Sequence, residues 1–315
     1  MQKLDYSKLY NFKNTVITVG AFDGVHLGHQ QILTKLITKA REIGGNSLVI
    51  SFWPHPRHLL HKDSPMKLLS TRIEKEKLLA TLGVDLFIEI PFTSEFSQFD
   101  ARTFIKDYLI GLYKMKYFML GYNHHFGRDR LGNLETIKKY AEEFNFEVDQ
   151  VGPCDIGGEK ISSSKIRNLL NEGKVSLACQ FLGYYYTLSG VVVKGQRLGR
   201  TIGFPTANIF VDDEHKLIPK DGVYAVKVKV ENNYYQGMLN IGNRPTVNKN
   251  PDDKTIEVNI FGFNEDIYAK NVTLFFIERI RDEVKFTGIE NLKNQLEVDK
   301  GKSIELLKKP PENKI

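Results

Sequence analysis

The segment Thr15-Val-Ile-Thr-Val19 is an unbroken run of β-branched residues, and it feeds directly into Gly20-Ala-Phe-Asp-Gly-Val-His-Leu-Gly-His29. Beyond that turn, Ile32, Leu33, Leu36, Ile37 and Ala40 recur at helical spacing. A buried strand, a sharp glycine turn and an amphipathic helix are therefore joined with no slack between them. Such a unit commits the chain to a sheet whose strands alternate with helices. It also sets His26 and His29 near the helix N-terminus, where unpaired N–H groups and the helix dipole favour anions. A phosphate docked there would meet ring and backbone donors together. The plainer reading, a glycine-rich turn with two solvated histidines, leaves the spacing and the strand–turn–helix setting as coincidences.

The alternation continues through the first half. Residues 46–52, 84–90, 116–121 and 146–151 read as strands, and helices fall at 72–82, within 100–113 and at 134–144. The expected architecture is α/β: a doubly wound parallel sheet with helices on both faces. Ligands of such sheets bind beyond the carboxyl ends of the strands, where both 20–29 and 121–127 fall. After Gly183 the pattern changes. Residues 188–194, 222–230, 234–241, 255–263 and 271–280 read as strands separated by Gly, Asn and Pro turns, with a single closing helix at about 289–300. That predicts an antiparallel β-barrel. A helical linker at 175–182 puts the boundary near Tyr184, giving domains 1–183 and 184–315.

Composition narrows the function classes. The 315 residues are 41% hydrophobic and 26% charged, as in ordinary globular chains, and no apolar run reaches the length of a membrane span. Cys154 and Cys179 have no metal-ligand spacing, so a reduced, cytoplasmic setting is expected. The net charge of +6 suits phosphate-bearing ligands but is dispersed, with no basic block that would indicate nucleic acid. His55, His58 and His61 recur every third residue, yet no cysteine or carboxylate completes a zinc set nearby, so a polar loop is expected there.

Other segments carry chemistry. Ile161-Ser-Ser-Ser-Lys-Ile-Arg167 precedes a helix, so the hydroxyls of Ser162 and Ser163 can cap N–H groups or bind phosphate oxygens, and Arg167 adds a donor fork. Gly121-Tyr-Asn-His-His-Phe-Gly-Arg128 and Phe52-Trp-Pro-His-Pro-Arg57 each follow a strand and offer aromatics for a flat ring. In the second half, Gly195-Gln-Arg-Leu-Gly-Arg-Thr-Ile-Gly-Phe-Pro-Thr-Ala-Asn208 lacks the Gly-Lys-Ser/Thr ending of a Walker loop. Its glycines still admit close backbone approach to phosphates, and Arg197 and Arg200 add positive charge. Thr206 and Asn208 share a face if the segment is extended, and Thr206 can join a Mg²⁺ shell.

The N-terminal segments, in this order, resemble the adenylyl-transferring domain of the prokaryotic bifunctional riboflavin kinase/FMN adenylyltransferases, or FAD synthetases. Gly203-Phe-Pro-Thr-Ala-Asn208 resembles the riboflavin kinase signature. The resemblance continues through 222–224, 240–245, 256–261 and 281–286. It implies a Rossmann-like nucleotidyltransferase domain followed by a kinase barrel. Riboflavin would be phosphorylated by ATP to FMN, and FMN adenylylated by a second ATP to FAD with release of pyrophosphate.

The implied ATP contacts of the first domain are Gly20, Phe22, Asp23, Gly24, His26, His29, Ser162, Ser163 and Arg167, with His26 and His29 catalytic. Phe52, Pro54, Asn123, Phe126 and Arg128 would hold its flavin. In the barrel, Gly195, Gly199, Arg200, Gly203, Pro205, Thr206 and Asn208 would bind ATP, with Thr206 and Asn208 on Mg²⁺. Asn243, Arg281 and Glu283 would hold riboflavin, and Glu257 would be the base for its 5′-hydroxyl. A carboxylate is too weak to ionise a free alcohol outright, but it can orient the hydroxyl and take its proton during transfer. The chain departs from the family pattern at three places: Asn123 stands where Asp is frequent, Asn259 where His is common, and Gly262 where Asp is common. Two rival readings keep one activity only, or make the barrel a flavin-sensing or RNA-binding module. The sequence does not give the oligomeric state.

Overall fold

The computed structural model describes residues 1–308 except 7, 9, 11, 61–65, 123–132, 196–197 and 244–253. The chain divides into two compact units, Met1–Ser163 and Ser164–Ile315.

In the first unit the strands are β1 (Gln2–Leu4), β2 (Thr15–Val19), β3 (Ser47–Trp53), β4 (Leu86–Pro91), β5 (Met115–Gly121) and β6 (Glu147–Val151), with a small hairpin of β7 (Asp155–Ile156) and β8 (Glu159–Lys160). Its helices are α1 (Leu27–Glu42), α2 (Pro56–Leu60), α3 (Arg72–Thr81), α4 (Ser94–Ser97), α5 (Ala101–Thr103) and α6 (Leu134–Phe144), with a π-helical stretch at Phe104–Leu112. The main sheet has the order β1-β4-β3-β2-β5-β6, and every pair in it is parallel. The chain runs outward from β2 through β3 to β4 and then crosses back to β5 on the other side of β2. The turn after β2 thus leaves from the switch point of the sheet, where such sheets open a crevice.

Alternation along the strands feeds two cores. Ile17, Val19, Leu48 and Ile50 point to one face, and Val16 and Val49 to the other. Leu33, Leu36, Ile37 and Ala40 of α1 fill the second face. The short edge strand β1 has no counterpart in the sequence reading, because three residues show no periodicity.

Helix α7 (Ser163–Asn171) opens at the last residue of the first unit and continues into the second, where α8 (Val175–Leu182) follows. Lys220 N–H donates to the Leu170 carbonyl, so the helical linker ahead of Tyr184 packs within this unit. There follow β9 (Thr187–Val193), α9 (Leu198–Thr201), β10 (Ala207–Phe210), β11 (Gly222–Val230), β12 (Asn233–Asn243), β13 (Lys254–Ile260), β14 (Asn271–Arg281) and α10 (Ile289–Lys308). The strands close into an antiparallel barrel in the order β10-β13-β12-β11-β14-β9. Strand β10 completes the closure, and it lies in the Pro-Thr-Ala-Asn segment, where the motif masks strand alternation. Helix α10 runs eight residues past the expected end at 300 and packs on β11, β12 and β14.

Because Leu33 is fully buried and anchors α1 beneath the turn, Leu33→Ala should lower the stability of the first unit by ~2–5 kcal/mol. Urea unfolding followed by circular dichroism measures this. A loss of less than about 1 kcal/mol would show that the site's helix is held by something else.

Candidate active sites

The turn after β2 is held in a tight and unusual backbone. Phe22, Gly24 and Val25 all have positive φ, at 47°, 78° and 35°. Val25 is β-branched and fully buried, so this conformation persists only where the surroundings impose it. Asp23 supplies that constraint. Its buried carboxylate accepts the N–H of Leu69 at 2.9 Å and of Ser70 at 3.1 Å. Gly24 N–H donates to the Ser70 hydroxyl at 3.0 Å, and the Ser163 hydroxyl donates to the Asp23 carbonyl at 3.0 Å. Ser163, the last residue of the first unit, is therefore tied to the glycine turn.

His26 caps α1: its Nδ1 accepts the His29 N–H at 3.3 Å. The two rings stack with centroids 3.7 Å apart at 14°, and Phe22 packs against His29 at 5.1 Å. The glycine between them has a steric reason, since a Cβ at Gly28 would sit 3.3 Å from the His26 ring. His29 Nδ1 is buried with no hydrogen-bond partner. Burial, and then the neighbouring His26, hold the His29 pKa well below its ordinary value. The residue as a whole is half-buried.

Beneath this turn lies a polar cluster that no sequence motif announced. The buried Lys75 ammonium donates to the Ser51 hydroxyl at 2.9 Å, and that hydroxyl donates to the Ala21 carbonyl at 3.3 Å. Lys75 also faces Glu89 at 3.4 Å, and Arg72 pairs with the same carboxylate. Arg72 lies over the Trp53 ring at 5.3 Å. Near the end of β3, Phe52 belongs to an aromatic group, with Phe92 at 5.6 Å and Phe96 at 5.5 Å. Pro54 is exposed beside it. Arg167 lies one turn into α7. Asn123, Phe126 and Arg128 lie outside the described residues, as do Arg197 and His61. Among the described residues no group of three His, Cys, Asp or Glu could hold a metal.

In the barrel, a cavity of about 370 Å³ is lined by Thr206, Asn208, Glu257, Asn259, Arg281 and Glu283, among others. A second cavity, of about 500 Å³, is lined by Arg200, Pro205, Thr206 and the segment 263–268. Thr206 faces both. Its hydroxyl donates to Glu257 Oε2 at 3.4 Å. Register places Glu257 opposite Asn208 on β10 and opposite Asn240 on β12. Asn259 is buried and donates to the Pro205 carbonyl at 2.6 Å, which pins the residue before Thr206. Gly195 is required by contact, because a Cβ there would collide with the Asn208 amide. Gly199 lies against the Phe204 carbonyl, and Gly203 has φ 85°. Glu283 rests over Gly242 and accepts from the Asn240 amide at 3.3 Å. The Arg281 guanidinium is held by Asp299 of α10. The Asn243 side chain lies outside what is described.

Residues 9–165 match the FAD synthetase family model, and residues 182–307 match that of riboflavin kinase. The chain is 39% identical to the bifunctional riboflavin kinase/FMN adenylyltransferase of Listeria monocytogenes, over 91% of this chain and 90% of that protein. Its counterpart in Bacillus subtilis is 37% identical, over 92% of each. A solved structure from Streptococcus pneumoniae, titled a macrolide-efflux protein, aligns with a TM-score of 0.88 at 32% identity, covering 96% of this chain and 98% of its own.

The chain belongs to the bifunctional riboflavin kinase/FMN adenylyltransferase family. The reading of the barrel as a sensing or RNA-binding module without a kinase gives way to the riboflavin kinase match.

The low pKa of His29 has a consequence for stability. The folded protein leaves the ring neutral where the unfolded chain starts to bind a proton, below about pH 6.5. This contribution to stability is intact above that pH and is lost as pH falls towards the folded value. His29→Gln should flatten the decline in Tm between about pH 7.5 and 5. An unchanged slope would remove His29 as its source.

Proposed function

We propose that the two reactions of this family are carried in this chain by two separate residue sets, one in the sheet and one in the barrel. The chain is an enzyme with riboflavin kinase and FMN adenylyltransferase domains, and its substrates are riboflavin, FMN and ATP. The functional boundary is set at 183/184, next to the start of the riboflavin kinase match at 182. The efflux title of the pneumococcal structure is not carried over, and among the described residues no helix is long and apolar enough to cross a membrane. The reduced thiols of Cys154 and Cys179 suit the cytoplasm.

The observation that carries the kinase assignment is the position of Thr206 on both cavities, in reach of Glu257. ATP in the cavity lined by Arg200 and Pro205 would present its γ-phosphoryl group at Thr206, with Gly195, Gly199 and Gly203 letting the backbone approach the phosphates. Riboflavin in the other cavity, against Arg281, Glu283 and Asn243, would present its 5′-hydroxyl to Glu257. That oxygen attacks the γ-phosphorus, Glu257 takes its proton, and ADP leaves. ATP-dependent transfer of this kind uses a divalent cation. The Thr206 hydroxyl and the Asn208 amide oxygen are hard donors facing one cavity, which suits Mg²⁺. When bound, it would supply charge neutralisation of the phosphates.

In the sheet, an FMN phosphate oxygen attacks the α-phosphorus of ATP, the bond to the bridging oxygen breaks, and pyrophosphate leaves. The protein forms no bond; it aligns two anions and stabilises the charge that develops between them. His26 and His29 are assigned to the triphosphate, with Gly20, Gly24, Phe22, Ser162, Ser163 and Arg167 around it. Asp23 serves there as the group that shapes the turn. Phe52 and Pro54, with the aromatic group at Phe92 and Phe96, form the shelf for the flavin ring, to which Asn123, Phe126 and Arg128 are assigned as well.

Two variants test the division. His29→Ala should lower FAD formation from FMN by about 10²-fold or more, with riboflavin phosphorylation nearly unchanged. Glu257→Gln should lower riboflavin phosphorylation by roughly 10²–10⁴-fold while supplied FMN is adenylylated at close to the parent rate. Chromatography of the flavins formed with ATP and Mg²⁺ reads both. Collapse of both activities in either folded variant would replace two sites with one shared site.

A further inference from the structure

In helix α10, the residues facing the barrel fall at Leu292, Leu296, Asp299, Ser303 and Leu307, one continuous helical stripe. Leucine is expected at every step. Asp299 instead places a carboxylate with no solvent exposure in the middle of the apolar face. A buried charge of this kind persists only with a partner that satisfies it fully. Arg281, the last residue of β14, is that partner. Its Nε lies 3.1 and 3.0 Å from the two carboxylate oxygens, and its Nη2 lies 2.7 Å from Oδ2. The Gln295 amide also donates to Oδ1, at 2.9 Å.

The segment that follows Arg281 forms a wall of the cavity containing Glu257: Glu283, Val284 and Phe286 line it, together with Leu292 and Leu296 of α10. Arg281 also donates through Nη1 to the Asp282 carbonyl at 2.9 Å and stacks over Phe286 at 5.6 Å. One guanidinium thus links the helix, the start of the loop and its far end. Its donor fork is directed at Asp299 and at the Asp282 carbonyl, while Arg281 itself lines the cavity.

We propose that Asp299 is a positioning residue for riboflavin, holding the 281–286 loop over the barrel cavity through Arg281, and that Arg281 acts on the flavin through this loop. The proposal rests on the assignment of that cavity to riboflavin. The adenylyl-transferring site and the cavity lined by Arg200 and Pro205 share no residue with the clamp, so both report independently on the same protein.

The test uses the full-length chain. Asp299→Asn keeps the shape and removes the charge that orients the fork. It should raise the KM for riboflavin by about tenfold or more, change the KM for ATP by less than about threefold, and leave FMN adenylylation unaltered. Arg281→Gln alone would strand the Asp299 carboxylate, so the informative partner is the double variant R281Q/D299N, which buries no charge. If Arg281 works through Asp299, the double variant binds riboflavin no worse than D299N. A double variant at least about tenfold weaker than D299N would show that Arg281 grips the flavin itself, and the proposal falls. An unchanged riboflavin KM in D299N overturns it as well, as does a rise in the ATP KM of the same size. If D299N alone does not fold, the double variant is compared with the parent, and an unchanged riboflavin KM refutes the clamp. Failure of the parent protein to form FMN from riboflavin would instead overturn the kinase assignment.

Discussion

The Asp23 carboxylate is the interaction on which the N-terminal site depends. It lies at the one point where the chain must reverse between β2 and α1 with two non-glycine residues at positive φ, Phe22 and Val25. Each such residue costs on the order of 1–3 kcal/mol. Hydrogen bonds from backbone N–H groups to an ionised acceptor contribute about 1.5–3 kcal/mol each, and Asp23 accepts from both Leu69 and Ser70. The two quantities are comparable, so the turn survives because a distant loop stabilises it. Everything downstream follows from its shape: His26 arrives as the cap of α1, its Nδ1 meets the His29 N–H, and Gly28 leaves room for the two rings to stack.

Charge beneath the turn is close to balanced. Lys75 and Arg72 face Glu89, and Asp23 lies near the Lys75 ammonium. Burial lowers the Lys75 pKa, and the two carboxylates oppose that shift. Such a floor is rigid without presenting a strong positive field. In the site proposed for the triphosphate, attraction would come from the rim, from helix N–H groups and from the histidine rings. A polyanion bound at the rim would favour the protonated form of His29, which burial and His26 disfavour.

What could be read from the sequence was whatever local periodicity or composition encodes. The strand–turn–helix at 15–40, the helix Leu134–Phe144 and the strand Gly222–Val230 were expected with nearly these limits, because their apolar spacing is set by burial on one face. Glu257, Thr206 and Asn208 came from resemblance to a motif, and the structure brings them to one cavity. Features made by long-range partners were not legible. Lys75 looks like one more charge in a polar helix, and its burial is decided by Ser51 and Glu89 from two other strands. The aromatic group of Phe52, Phe92 and Phe96 brings Phe52 onto residues forty or more positions away. Asp299 alone left a trace, as a carboxylate interrupting the apolar stripe of α10.

The barrel solves its positioning problem with a different residue from the one its family pattern suggests. Where histidine is common, this chain has Asn259, whose amide donates to the Pro205 carbonyl. A histidine in that place could donate too, but its ring titrates near neutral pH. An amide does not, so the contact that fixes Pro205 is independent of pH across the physiological range. Proline at 205 restricts φ, the Asn259 bond fixes the carbonyl that follows, and Thr206 is left with little freedom. Its neighbours on β10 are then held by the ladder, with Asn208 opposite Glu257. Strand register and one non-titrating hydrogen bond thus bring Thr206, Asn208 and Glu257 to one cavity.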